Sequence, residues 1–209
     1  MIFASGHSIF WRLTDETGEG SDVVSIVLSN QSRREVSEVE IETDIISPPH
    51  KSAQPDYPVD IEWNKSDLDL FLTLLRNTLG EGEGNDDYEQ IELDLTDESV
   101  LRIMHIVAAA RFATPYPADG VIRRSQANFG DAVEMKVGER ISLDTIDGFK
   151  PAVIVSLSEE LSCVLLDEIT APSGDNIQLD RHDLVVVEKD WVLPGSLTST
   201  QRGEADIIH

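Results

Sequence analysis

The sequence predicts an α+β protein: an N-terminal sheet with two helices, arranged as two strand–helix units, followed by a small antiparallel SH3-like β-barrel. Three observations predict it. Tyr88–Arg111 shows a strand, a cap and a helix in unbroken succession; Val59–Leu75 repeats that grammar; and beyond Gly120 the texture changes to short apolar runs separated by turn residues. The implied domains are residues 1–112, a linker at 113–130, a barrel at 131–194 and an extended tail at 195–209.

Ile91, Leu93 and Leu95 alternate with Glu92 and Asp94, a period-two pattern that gives a strand one apolar and one carboxylate face. Thr96 is the expected N-cap, and Asp97 and Glu98 put negative charge where the first-turn amides and the macrodipole favour it. Val100, Leu101, Met104, Val107 and Ala108 then recur at helical spacing, with Arg111 in the last turn. In the earlier copy Val59–Trp63 alternates, Ser66-Asp67 offers a cap, and Leu68, Phe71, Leu74 and Leu75 form the helical face. A thirty-residue offset lays Ile61 on Ile91, Ser66 on Thr96 and Phe71 on Leu101, which is the pattern of a duplication and also of two common local motifs.

Upstream, Ile9–Leu13 reads as a short strand. Val23–Leu28 and Val36–Glu42 read as a hairpin, with Val39 and Ile41 inward and Glu38, Glu40 and Glu42 outward. Its loop carries Arg33-Arg34, which on so acidic a chain are expected to pair with neighbouring carboxylates rather than to bind an anion. Ser47–Pro58 holds four prolines and reads as a loop or arm. Ala113–Gly120, also proline-rich, marks the boundary between the domains. The runs at 132–137, 140–143, 152–157, 161–166, 176–179, 184–187 and 191–193, broken by turns such as Asp147-Gly148 and Arg181-His182-Asp183, give the strand cadence of a small barrel.

Composition bounds the chemistry. The 209 residues carry a formal charge of −24, from 40 acidic and 16 basic side chains, and the basic set is 11 arginines and 5 lysines. Such a chain repels itself at low salt, whereas at molar salt the Debye length is about 3 Å and the repulsion is screened. Acidic excess with scarce lysine therefore fits the cytoplasm of a halophile or a halophilic virion, and the charge then describes the solvent. The rival reading is that the charge is the function: an acidic inhibitor, or nucleic-acid mimic, occupying a basic partner. The acids are spread from Asp15 to Asp206 rather than concentrated, which argues against it. One cysteine, Cys163, excludes an intramolecular disulfide and reads as a buried strand residue. Neither a signal peptide nor a membrane span is expected from the apolar runs present.

No motif for catalysis emerges. His105 falls on a helix flank, His182 in a turn, and His7, His50 and His209 in terminal or loop segments, none beside a Gly-x-Ser-x-Gly elbow. Neither strand–helix junction has the glycines of a phosphate loop. A metal-dependent hydrolase is the enzymatic alternative and requires a pocket joining His105 or His182 to several carboxylates. For calcium, Glu81, Glu83, Asn85 and Asp87 have oxygen-ligand spacing, but the position that needs glycine is Asp86, so a solvated loop is the plainer reading. Arg123 and Arg124, with Phe129 nearby, are the candidate patch for a partner, and Ile207-Ile208 the candidate anchor of the tail on a neighbouring subunit. Nucleic acid is not expected as a direct ligand and no cofactor is expected. The sequence reading is a non-enzymatic structural or assembly component acting through protein subunits, for example a head–tail connector or tail protein of a halophilic virus.

Overall fold

In a computed structural model, the described residues are 2–4, 8–15, 21–31, 36–48, 58–79, 90–92, 94–118, 120–124, 135–170 and 178–195. The fold is α+β, rich in sheet with two helices, and the chain divides into two compact units, Met1–Ala113 and Thr114–His209.

The first unit runs β1 (Ile2–Ala4), β2 (Ser8–Thr14), β3 (Asp22–Gln31), β4 (Val36–Ser47), β5 (Val59–Glu62), α1 (Lys65–Leu79), β6 (Gln90–Glu92) and α2 (Glu98–Phe112). Strands β4-β3-β2-β5 form an antiparallel sheet, while β1 and β6 pair separately. The two strand–helix units therefore do not share a sheet: β5 closes one edge of the larger sheet and β6 sits in the small ribbon. Along β2, Ile9, Trp11 and Leu13 are buried and their neighbours half-buried, the alternation of a sheet with one face on the core. Helix α2 packs against β3 and β4, and α1 packs against α2.

Both expected caps lie elsewhere. At α2 Asp97 is the N-cap, accepting the Ser99 amide at 2.7 Å, while Thr96 donates both its amide and its hydroxyl to Asp94. A carboxylate in an Asx turn thus ends the strand earlier than the alternation alone implied. At α1 the N-cap is Asn64, not Ser66: Asn64 Oδ1 accepts the Asp67 amide at 3.0 Å and Asp67 Oδ2 accepts the Asn64 amide at 3.1 Å, a reciprocal capping box. The two helices, each 15 residues long, begin 33 residues apart and not at the thirty-residue offset of the strands. Leu70 takes the inward position expected of Leu68, which is 40% exposed.

The second unit runs β7 (Tyr116–Pro117), β8 (Arg140–Thr145), β9 (Gly148–Leu157), β10 (Leu161–Leu165), β11 (Ile169–Thr170), β12 (Gln178–Leu179), β13 (Leu184–Val187), a 3₁₀ turn (Lys189–Trp191) and β14 (Val192–Pro194). Six strands form one sheet in the order β14-β8-β9-β10-β13-β7, and β11 pairs with β12. Ile141, Leu143, Ala152, Ile154, Leu161, Cys163, Leu165 and Val185 are fully buried in its core. Gly148, at φ 94°, supplies the left-handed residue of the β8–β9 hairpin, where Thr145 Oγ1 also donates to the Gly148 carbonyl at 2.7 Å.

Against the expected barrel, no closed barrel is formed among the described residues; the ladder starts at β14 and stops at β7. Each outermost strand ends in proline, Pro194 and Pro117, which has no N–H to offer a further ladder. The β7–β13 pairing is parallel, not antiparallel. Residues read from composition as linker also belong to this unit's core: Ala118, Val121 and Ile122 are buried, and Arg123 and Ile146 donate their amides to Asp144 and Val121.

Candidate functional site

The second unit carries a cleft of about 320 Å³ where β7 meets the end of β13. Four segments build it. The turn into β7 brings Pro115, Pro117 and Ala118; β13 brings Val186 and Val187; the tight β9–β10 turn brings Glu160; and the chain after β13 brings Glu188 and Trp191.

The sheet register sets the position of the two carboxylates. Leu161 pairs with Val187 at the end of the antiparallel β10–β13 ladder, so Glu160 and Glu188 are the residues just beyond that last pair, and both line the cleft. Ser158 holds that turn by donating its amide and hydroxyl to the Glu160 carbonyl. The Glu160 and Glu188 side chains are exposed, and neither has an ion-pair partner among the described residues. Trp191, half-buried, packs one side against the core cluster and also lines the cleft; its amide donates to the Glu188 carbonyl at 3.1 Å, which closes the 3₁₀ turn.

The rest of the chain treats its cations differently. Arg12 donates from Nε and Nη2 to Asp60 at 2.8 and 2.9 Å, from Nη1 to Glu40 at 3.2 Å, and has Glu38 within 3.5 Å. Hydrogen bonding to Arg12 holds the Asp60 carboxyl below its usual range, and hydrogen bonding to Asp60 raises the guanidinium above its own. Lys150 bridges Asp147 at 3.0 Å and Asp167 at 3.6 Å.

Of the residues singled out from sequence, Arg124 lies by the cleft: its guanidinium pairs with Asp190, the neighbour of Trp191, so its charge is already offset. Arg123 is exposed. His105 Nδ1 lies 2.9 Å from Asp44 Oδ1, joining α2 to β4. His182 is buried in its turn at φ 74°, donating its amide to Leu165 at 2.9 Å. Neither histidine lines the cleft. Arg33, Arg34, Phe129, Ile207, Ile208 and the Glu81, Glu83, Asn85, Asp87 loop lie outside the described residues.

The cleft residues were not singled out in the sequence. The segment around Pro115 and Pro117 reads as a boundary, Trp191 as a strand residue, and Glu160 and Glu188 are two acids among many. Only the pairing register brings them together.

Comparison with protein-family models, curated proteins and solved structures returned no match for this chain. Among the described residues no helix is long and apolar enough to cross a membrane.

Proposed function

We propose that this chain is a non-enzymatic structural or assembly component that acts through protein–protein contacts. The observation that carries the reading is the cleft: a mixed lining in which prolines, valines and one tryptophan sit beside two carboxylates and more polar than apolar surface is exposed, next to the solvent-exposed Tyr116. Proline and tryptophan surfaces are rigid and lose little entropy on contact, which suits the docking of another protein.

The concrete form of the proposal is a virion component of a halophilic virus, at a head–tail junction or in the tail. What supports it is composition, with 40 acidic residues against 16 basic and arginine favoured over lysine. The SH3-like description of the second unit belongs to the same proposal, and rests on short strands gathered round one apolar cluster.

Light scattering across a salt series, with circular dichroism alongside, tests the reading. A chain that folds and forms a defined oligomer at molar salt supports it; a compact monomer at every salt concentration overturns self-assembly.

A second reading, the acidic mimic, has one specific observation behind it. Glu38, Glu40 and Glu42 are exposed at alternate positions of the edge strand β4, a carboxylate row with steps of about 6.8 Å, and Asp44, bonded to His105, is the fourth exposed acid, beyond an irregularity in the register. Arg12 sits against two of the four and reduces the row's charge. Charged residues also protect an edge strand from pairing with another chain, which is the simpler use of the same row.

A further inference from the structure

We propose that the cleft docks an extended, arginine-bearing segment of a partner protein, one guanidinium being shared by Glu160 and Glu188 while it lies against the Trp191 ring. The inference rests on the protein-contact reading above and gives the partner a chemistry.

Charge complementarity selects the occupant. Glu160 and Glu188 line the same cleft, both exposed and with no counter-ion among the described residues. They share a concave site with an indole. A cation in the cleft is attracted by both carboxylates, and an aromatic face adds a further attraction. Arginine meets both demands better than lysine, because its planar fork donates to two carboxylates at once and stacks on a ring. This protein already builds one such arrangement internally, where Arg12 is held by Asp60, Glu40 and Glu38.

The prolines select the binding mode. Pro115 and Pro117 flank the exposed edge and have no N–H, so a partner cannot lengthen the sheet there by a regular backbone ladder. Recognition falls to side chains, with Val186, Pro117 and Trp191 offering apolar contact to the stem of the arginine and to its neighbours.

The experiment uses the full chain and a dye-labelled octapeptide of proline and alanine with one central arginine, followed by fluorescence anisotropy at low and at molar salt. A second peptide replaces arginine with citrulline, which keeps the shape and removes the charge. The expected result is binding of the arginine peptide, with the citrulline peptide weaker by about tenfold, as loss of a charge-assisted contact implies. The double variant Glu160→Gln/Glu188→Gln weakens the arginine peptide by about the same factor. Both positions are exposed and have no ion-pair partner among the described residues, so its fold is retained and its thermal midpoint does not fall. Glu42→Gln/Glu62→Gln, a change of the same net charge at exposed positions outside the cleft, leaves binding unaltered. Equal weakening by both double variants, or equal binding of both peptides, overturns the inference by reducing it to attraction toward an acidic surface. A defined oligomer with no peptide binding overturns this inference alone; a monomer at all salts that binds the peptide overturns self-assembly and leaves the cleft assignment standing.

Discussion

The indole N–H of Trp11 donates to Asp67 Oδ2 at 3.1 Å, and both residues are buried although 56 positions separate them. The same carboxylate oxygen accepts the Asn64 amide and completes the cap of α1. One acidic side chain therefore fixes the start of the helix and its seat on β2. Trp11 in turn stacks on Trp63 with centroids 4.7 Å apart and meets Phe112 edge-on at 5.3 Å, which ties the end of α2 to the same point. Asp67→Ala removes half of a capping box and strands a buried indole donor. The expected loss is about 2–4 kcal/mol, from roughly 1 for the cap and the rest for the unsatisfied donor. Urea denaturation followed by circular dichroism measures it, and a loss as small as that of an exposed α1 substitution such as Asp69→Ala would refute the dual role.

The Arg12 cluster predicts how stability responds to acid. Hydrogen bonding to Arg12 depresses the Asp60 carboxyl below its ordinary value of 3.8. A group whose folded pKa is lower than its unfolded one contributes stability that is complete above the unfolded value and is lost as pH falls through the folded one. The contribution is therefore expected to be intact above about pH 5 and to disappear progressively below the unfolded value. Its size is modest, about 1 kcal/mol, because the Asp60 side chain is 41% exposed and solvent screens the pair. Asp147, lowered by its bond to Lys150, acts in the same direction in the second unit. Arg12→Met is expected to flatten the acid limb of the stability profile for the first unit while leaving that of the second in place, as read by denaturation midpoints from neutral pH down to about pH 2.

How much of this was legible beforehand follows the range of the interactions involved. The alternation in Val36–Glu42 and the helical spacing in 100–111 are local, and β4 and α2 formed where the pattern put them, as did the turns at Asp147-Gly148 and 181–183. Caps were misplaced because Asp, Asn, Ser and Thr compete for the same position. Choosing Asn64 over Ser66 depended on Asp67, whose other partner is a tryptophan far away in sequence. Short strands built from turn-like residues were also missed: Tyr116-Pro117 joins the sheet only because Val185 and Val186 lie beside it. The cleft was illegible for the same reason, since bringing Glu160 and Glu188 to one site depends on the β10–β13 register, which no window of sequence contains.

Cys163 is expected to be inert in the folded protein. It is fully buried in β10, and burial pushes its thiol up to about 12. The thiolate is the reactive form, so both access and ionisation oppose reaction. A thiol reagent at neutral pH should modify the native chain only at the rate at which the second unit opens, and rapidly once denaturant is added. Fast, stoichiometric labelling without denaturant would show that the β9–β10–β13 core is not packed as described.

Two glycines of the second unit separate conformational strain from steric fit. At Gly195 a Cβ would meet the Arg140 carbonyl and its backbone neighbours, because the chain leaving β14 crosses close over the start of β8. Backbone cannot rotate aside as a side chain can, so Gly195→Ala must push β14 away from β8, at an expected cost of about 1–3 kcal/mol. Gly120 has open space around it but a φ of 84°, so Gly120→Ala costs only the left-handed penalty, about 1–2 kcal/mol. The magnitudes overlap; the signatures do not. Gly195→Ala should accelerate amide exchange at Ser142, which faces Leu193 of β14, and Gly120→Ala should leave that amide protected relative to the remaining global stability. Exchange measured on both variants decides the matter, and slow exchange at Ser142 in Gly195→Ala would mean that the β14–β8 edge tolerates the methyl group and that the close approach is not a constraint on the fold.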